Sequence, residues 1–230
     1  MAHTAHTSDS ILAHHFEDMD QQNESAVLGM WLFLAQEILF FGGLFAVYFV
    51  YRVQYPDAWA AASSELNIWQ GGGNTIVLLI SSFTMAFSVN AAQTGKQQRL
   101  MLGMLTTLAL GCVFVVVKYF EYSAKWEHHL VPGPYFDYHA SAAVGNHFAG
   151  VNPDHVQIFF CLYFVMTGMH AFHMLIGAGL LIWLLILGYK GEFGPQRFMK
   201  VELFGLYWHF VDIVWVFLFP MLYLIDRTWM

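Results

Sequence analysis

The chain has 230 residues, of which 58% are hydrophobic, 18% aromatic and only 11% charged. Soluble globular domains carry about 25% charged and about 45–50% apolar residues, so this composition excludes an ordinary soluble domain. The apolar residues lie in long blocks near the roughly 20 residues needed to cross a hydrocarbon core. The formal net charge of −7 says little about partners, because the acids concentrate in tails and loops, and no basic patch indicates nucleic-acid binding.

Five apolar blocks predict five membrane-spanning helices. Their approximate bounds are 26–51, 75–92, 100–117, 156–189 and 203–225. The first block is interrupted by Gln36 and Glu37, whereas the second is rich in Ser and Thr and carries no charge. Backbone polar groups in lipid must be paired within the protein, so each block of this length is expected to be helical. We therefore predict an all-α fold, a polytopic membrane helix bundle with five transmembrane helices.

The segment before the first span, residues 1–25, is polar and acidic and contains no Lys or Arg. A secretory signal begins with a basic region, so we predict a tail outside the bilayer, followed by a single five-helix domain from 26 to 230. The tail histidines, which are more typical of a solvated segment than of a metal site, are His3, His6, His14 and His15. A polar connector, about 119–154, predicts a structured external loop or a partner contact.

The basic residues of the loops indicate the orientation, because cytoplasmic loops carry an excess of Lys and Arg. One side of the membrane receives Lys96, Arg99, Lys190, Arg197 and Lys200. The other side receives Arg52, Lys118, Lys125 and Arg227. The first set occupies two short loops, which count most, so we predict a cytoplasmic amino terminus and an external carboxyl terminus.

Glu37 lies near the middle of the first predicted span, about 16 Å from its start at 1.5 Å per residue. An ionised carboxylate at this depth costs several kcal/mol, so we expect the side chain to be protonated, paired or turned toward the protein interior. Two interpretations stay open. Glu37 is either a functional acid on a proton or gas pathway or at a lipid site, or a protonated acid that hydrogen-bonds between helices.

Two polar pairs lie within the last two predicted spans. His170 and His173 are three residues apart and share a helical face, as do His209 and Asp212. Such side chains could ligate haem or a metal, but zinc normally needs three or four ligands, and nothing in the sequence brings the two pairs together. We favour hydrogen bonding between helices.

Two further features of the spans indicate packing rather than catalysis. Lys118, Glu121 and Lys125 stand at helical ion-pair spacing after the third span and predict an interfacial ion pair. Exposed pairs of this kind contribute about a few tenths of a kcal/mol. The glycines predicted to allow close helix packing are Gly42, Gly43, Gly168, Gly177 and Gly179.

Four stretches of the chain carry a family resemblance. They are Trp31 to Phe45 (WLFLAQEILFFGGLF), Lys118 to Tyr122 (KYFEY), Phe164 to Gly177 (FVMTGMHAFHMLIG) and Tyr207 to Phe217 (YWHFVDIVWVF). In this order they resemble four helices of subunit III of the haem–copper oxidase superfamily, to which cytochrome c oxidase belongs. The first is similar to the span that holds the family's carbodiimide-reactive glutamate, and Glu37 falls at that position. The third matches the family pattern Thr-Gly-x-His-x-x-His-x-x-x-Gly, and the fourth is similar to the final helix.

The resemblance implies the five-helix bacterial form of this subunit. The family's long form has seven helices, in groups of two and five around a lipid-filled cleft, and the lipid-contact residues of the first two helices have no counterpart here. The family's subunit III holds no haem or copper and packs on catalytic subunit I in a complex that includes subunit II. It supports proton uptake and oxygen access and protects subunit I from inactivation during turnover.

The resemblance also implies roles for individual residues. Glu37 would be the functional intramembrane acid, with phospholipid as a possible ligand of the subunit and no metal bound. An internal polar network would contain His170, His173, His209 and Asp212. The whole complex would be a proton-translocating oxidase of the aerobic respiratory chain in a bacterial inner membrane, whereas this chain alone would catalyse no reaction.

Several alternatives stay open from the sequence. The KYFEY stretch favours the cytochrome c type of oxidase over the quinol type, and a homologue associated with nitric oxide reductases is a related alternative. A membrane cytochrome would carry haem on His170, His173 or His209. A proton channel or transporter would use Glu37.

Overall fold

The computed structural model describes residues 16–138, 150–195 and 197–225. These residues form six α-helices, and the described ranges contain no strand. The helices are α1 (Met19–Gln54), α2 (Pro56–Ser64), α3 (Ile68–Gln93), α4 (Gln97–Glu127), α5 (Pro153–Tyr189) and α6 (Met199–Tyr223). The tail histidines His3, His6, His14 and His15 lie outside the described residues.

Five of the six helices are long and apolar enough to cross a membrane, and α2 is the exception. The shortest of the five, α6, has 25 residues. At about 1.5 Å per residue it is roughly 38 Å long, more than the roughly 30 Å thickness of the hydrocarbon core. The prediction of an all-α fold is therefore confirmed for the described residues, and five of the helices have the length and composition of membrane spans.

The predicted bounds of the spans were too narrow at several ends. The third span was predicted to end at residue 117, but α4 continues to Glu127. The first and second spans were predicted to begin at 26 and 75, but α1 begins at Met19 and α3 at Ile68. The short helix α2 was not predicted. Hydropathy marks the apolar middle of a spanning helix, whereas polar turns at its ends continue the helix without an apolar signal.

Side-chain caps explain where three helices begin. The Oδ1 atom of Asp18 accepts a hydrogen bond from the Gln21 N–H at 2.7 Å, and Oε1 of Gln21 accepts one from the Glu17 N–H at 2.8 Å. This arrangement is close to a capping box. Asn67 caps α3, and Asn152 caps α5 ahead of a proline at the first helical position.

The chain divides into two compact units, Met1–Leu39 and Phe40–Met230. In the first unit, the described helical residues are the amino-terminal part of α1. The second unit contains the rest of α1 and the helices α2 to α6. Within the second unit α3 packs against α4 and α6, α5 packs against α4 and α6, and α2 packs against α5 and α6.

Tryptophan side chains join α3 to α6 in the core of the second unit. Trp208 and Trp215 are fully buried. The Nε1–H of Trp208 donates to Oγ of Ser81 at 3.0 Å, and that of Trp215 donates to Oγ1 of Thr75 at 3.1 Å. Both indole N–H groups are therefore paired, as burial requires, and both contacts tie α6 to polar positions of α3.

The five glycines predicted to allow close packing differ in what surrounds them. A Cβ atom at Gly177 would lie 2.9 Å from Cζ3 of Trp208, so only glycine fits there without a shift of its neighbours. Gly42, Gly43 and Gly179 have no described atom within 4 Å of such a Cβ. The packing prediction is thus confirmed for Gly177; at Gly168 the one atom near such a Cβ is the Tyr122 hydroxyl oxygen at 3.9 Å, and the packing role of Gly42, Gly43 and Gly179 stays a prediction.

Candidate functional site

Helices α4, α5 and α6 hold a polar cluster where the end of α4 meets the early turns of α5. We call it the lysine–glutamate cluster; its members are Lys118, Glu121, Tyr163 and Tyr223. Nζ of Lys118 lies 2.8 Å from Oε2 of Glu121 and donates to the hydroxyls of Tyr163 at 3.1 Å and Tyr223 at 2.9 Å. The same hydroxyls donate to Oε1 of Glu121, at 2.9 Å and 2.5 Å.

Each polar group of the lysine–glutamate cluster has a partner. An ammonium group has three N–H donors, and Lys118 directs them to one carboxylate and two hydroxyls. Aromatic faces complete its surroundings, because Nζ lies 5.0 Å from the ring centroid of Trp215 and 5.1 Å from that of Tyr163, within the range of cation–π attraction. Lys118 and Glu121 are each only 3% exposed. A fully paired buried network of this kind rigidifies its surroundings and specifies one packing arrangement.

The predicted ion pair is therefore corrected in two respects: how exposed it is, and which residues form it. Lys118 and Glu121 do form an ion pair, but in the interior rather than at an exposed surface. Lys125 makes no ion pair within the described ranges; its Nζ donates instead to the backbone carbonyl of Glu65 at 2.5 Å. The reason is that α4 continues past the predicted end of the span and carries all three side chains against neighbouring elements.

The two tyrosines of the lysine–glutamate cluster were missed from the sequence. A usable signal was present, because consecutive antiparallel spans place the end of α4, the start of α5 and the end of α6 at the same level. Tyr163 lies early in α5 and Tyr223 is the last residue of α6. Tyrosines at that level were the available partners for a buried Lys118–Glu121 pair.

A polar cavity of about 700 Å³ lies beside the cluster. Its lining comprises Glu65, Asn67, Gln70, Glu121, Ala124, Lys125, Glu127, His128, His129, Leu130 and Asp137. Glu121 belongs to both the cavity and the cluster, so the buried ion pair lies next to polar space rather than to apolar core on this side.

His170 and His173 occupy different surroundings on α5. His170 is fully buried, with its ring centroid 5.3 Å from that of Phe114 and 5.1 Å from that of Trp215. The Nδ1 atom of His173 lies 2.8 Å from the carbonyl oxygen of Met169, one helical turn earlier. The His173 carbonyl in turn accepts a hydrogen bond from the Tyr207 hydroxyl at 2.8 Å.

His209 contacts a serine of α3, and Asp212 is buried on the same helix as His209. Oγ of Ser82 lies 2.6 Å from Nδ1 of His209. The Asp212 carboxyl is buried, and neither of its oxygens has a hydrogen-bond partner among the described residues. Ser82 was missed from the sequence, although the run of Ser and Thr in the second predicted span indicated polar contacts to other helices.

No three His, Cys, Asp or Glu side chains in the described ranges are arranged so that they could hold a metal ion. His170 instead lies among aromatic rings, and His209 contacts a serine hydroxyl. The expectation that this chain binds neither metal nor haem stays a prediction.

Glu37 lies close to the midpoint of the 36-residue helix α1. It belongs to the first compact unit, whereas the lysine–glutamate cluster and both histidine-containing pairs belong to the second. Its depth in the membrane stays a prediction.

The fold and these polar contacts define a class of protein: a multi-pass, all-α membrane protein with charged and polar side chains held in its interior. The chain belongs to the cytochrome c oxidase subunit III family, whose model matches residues 9–130 and 153–227. Membership in this family places the chain in an oxidase complex.

Relatives from three bacteria match most of the chain. A probable cytochrome c oxidase subunit 3 from Nocardia farcinica is 31% identical over 219 residues, which cover 95% of this chain and 97% of the relative. Cytochrome c oxidase subunit 3 of Corynebacterium diphtheriae is 32% identical and covers 86% of this chain and 87% of its own length. Quinol oxidase subunit 3 of Bacillus spizizenii is 33% identical, with 90% and 91% covered.

Proposed function

We propose that this chain is the auxiliary, non-redox subunit III of a proton-pumping cytochrome c oxidase. In this role it packs on catalytic subunit I, with subunit II in the same complex, and haem and copper are bound by those partners. The observation that carries the proposal is the family match, which extends through all five spanning helices. The internal pairing of Lys118, Glu121 and both cluster tyrosines supports a structural contribution from this chain.

A quinol oxidase is the second candidate, because the Bacillus spizizenii relative carries that name at 33% identity. The KYFEY stretch, which holds Lys118 and Glu121, favours the cytochrome c type. Oxygen consumption by the purified complex decides between the two. Reduced cytochrome c is expected to support turnover, and turnover with a quinol alone would favour the second candidate.

Glu37 is proposed as the functional acid that supports proton uptake by the catalytic subunit. Glu37→Gln keeps the size of the side chain but removes its exchangeable proton. We expect the complex with Gln at this position to retain its haem spectrum and to lose oxygen-consuming activity several-fold faster during turnover. Glu24→Gln, which removes an exposed carboxylate from the same helix, is the matched control. An unchanged rate of inactivation in Glu37→Gln would contradict this role.

The amino terminus is proposed to face the cytoplasm of a bacterium. Lys118 and Lys125 hydrogen-bond inside the protein, so they no longer count as loop charges on the outer side. The five basic residues predicted for the inner loops thus outnumber the remaining basic residues on the other side more clearly than the sequence suggested. Alkaline phosphatase fused to the carboxyl terminus is expected to be active, because it would be exported. An inactive phosphatase and a fluorescent cytoplasmic reporter at that terminus would contradict this orientation.

A further inference from the structure

The polar cavity beside the lysine–glutamate cluster lies where α4 ends and α3 begins. Its volume of about 700 Å³ falls within the range of roughly 300–1,000 Å³ that is typical of ligand pockets. That is far more than the roughly 30 Å³ that one water molecule occupies. No cluster in the described ranges could hold a metal ion. The cavity is therefore of a size to receive a piece of polypeptide rather than a single ion.

Acidic side chains outnumber basic ones on the walls of this cavity. The described carboxylates of the walls are those of Glu65, Glu121, Glu127 and Asp137. Lys125 is the one Lys or Arg among the described lining residues. Because Lys118 pairs with Glu121, three negative formal charges and one positive charge remain. The walls therefore favour a cationic ligand and repel a phosphate or a carboxylate.

The excess of acid extends over the same end of the helix bundle. Asp57 and Asp154 are exposed there, in the first turns of α2 and α5. Arg52, in the last turn of α1, adds a single cation. The segment 139–149 contains no Asp, Glu, Lys or Arg. A partner surface with the opposite charge is therefore attracted to this end of the chain.

Two buried donors near the cavity have hydrogen-bonding capacity that the described residues do not use. Tyr138 follows the wall residue Asp137 and is 7% exposed, and its hydroxyl has no described hydrogen-bond partner. Burial and the charge of the Glu65 carboxylate raise the pKa of Tyr138 to about 12, so the hydroxyl keeps its proton. The ammonium group of Lys125 has three N–H donors and one described acceptor, the Glu65 carbonyl. A ligand that fits this cavity therefore offers hydrogen-bond acceptors as well as positive charge.

We propose that the cavity receives a basic segment of a partner protein in the oxidase complex, with an Arg or Lys side chain among the wall carboxylates. Backbone carbonyls of that segment accept hydrogen bonds from Tyr138 and Lys125. A polypeptide supplies both the cation and the acceptors. A polyamine lacks the carbonyl acceptors, and a phosphate has the wrong charge. The inference rests on the proposed place of this chain in such a complex.

Photo-crosslinking from the cavity wall tests the occupant in the intact complex. Benzoylphenylalanine replaces Gln70, an exposed wall residue, and the complex is purified in mild detergent through a tag on this chain. We expect a cross-link to a segment of another subunit that contains Lys or Arg, identified by mass spectrometry of its peptides. The same probe at Gln54, which is exposed at the end of α1 and does not line the cavity, is the control. It is expected not to label that segment.

Three results of this cross-linking would overturn the proposal. They are cross-links confined to this chain, including residues 226–230, cross-links to a second copy, and no cross-link in a complex with full haem absorbance. A second copy is recognised by mixing isotopically labelled and unlabelled chains. Haem absorbance that does not purify with this chain would overturn the proposed function and with it this inference, so the two failures are distinguishable.

Removal of wall charges tests the chemistry of recognition. The double variant Glu65→Gln with Asp137→Asn keeps the size of both side chains, and it is expected to lower the cross-link yield from the probe at Gln70 several-fold. Asp57→Asn with Asp154→Asn removes two exposed carboxylates outside the cavity and is expected to leave the yield nearly unchanged. Equal yields in the two double variants would overturn the proposal. Loss of the cross-link in millimolar spermidine, with spermidine retained by the purified complex, would identify a site for a free amine and would also overturn it.

Discussion

Glu121→Gln is expected to destabilise the protein by about 3–5 kcal/mol, because it leaves the Lys118 ammonium buried without its counter-charge. Glutamine keeps the shape of the side chain and can still accept hydrogen bonds from the two tyrosines, so the change isolates the effect of charge. The ion pair lies in the interior, with both side chains 3% exposed. Water therefore replaces the lost carboxylate less effectively than at an exposed pair, although Glu121 also lines the polar cavity. The measurement is the unfolding midpoint of the purified protein in detergent, together with its yield in the assembled complex.

The double variant Lys118→Met with Glu121→Leu tests whether the destabilisation comes from one unpaired buried charge or from the absence of the ion pair as such. Replacing both members of a buried ion pair by apolar side chains is often nearly neutral, so we expect the double variant to recover most of the stability lost in Glu121→Gln. Glu127→Gln is the matched control, since Glu127 is an exposed carboxylate in the last turn of the same helix. Equal stability of Glu121→Gln and Glu127→Gln would contradict the buried pair.

Gly177→Leu is expected to be the second strongly destabilising change. Its first side-chain carbon would lie 2.9 Å from Trp208 and 3.1 Å from Tyr207, so α5 and α6 must move apart. Overpacking of this kind typically costs about 1–3 kcal/mol. The movement is also expected to disturb the hydrogen bond from the Tyr207 hydroxyl to the His173 carbonyl. Thermal unfolding of the purified protein measures the loss.

Gly179→Leu on the same helix provides the control for Gly177→Leu. No described atom lies within 4 Å of a Cβ at Gly179, so the same substitution there is expected to leave the unfolding midpoint nearly unchanged. Both variants carry the same change in helix propensity, and their difference therefore reports packing. A Gly177→Leu protein as stable as Gly179→Leu would show that the close contact with Trp208 does not constrain the fold.

Hydropathy was sufficient to predict the number and type of the spanning helices. The free-energy cost of exposing apolar side chains to water is summed over each whole apolar block, so the signal is strong. It was not sufficient for the end of α4. Lys118, Glu121 and Lys125 lower the local hydropathy, and a polar turn at the end of a span can belong either to a loop or to a longer helix. Whether Lys118 and Glu121 are buried depends on Tyr163 and Tyr223, which come from two other helices.

The contacts of His170, His173, His209 and Asp212 show the same limit. Helical periodicity correctly placed each pair on one face of its helix. Which side chains contact these residues, however, depends on how the neighbouring helices are rotated and how deep they lie. Ser82 was one of several serines and threonines in its span, and no feature of the pattern distinguished it from the others. The family resemblance located the motifs, whereas the partners of the site residues depended on tertiary packing.

The central claim, that this chain is an auxiliary subunit of an oxidase complex without redox groups of its own, is tested most directly by purification through a tag on this chain in mild detergent. The optical spectrum and the identity of the co-purifying subunits are then measured before and after the chain is separated from its partners. We expect haem absorbance to travel with a large catalytic subunit and to vanish from the isolated chain. A chain that purifies alone and retains a haem band would contradict the account and identify a membrane cytochrome, and a colourless chain without partners would instead favour a proton channel.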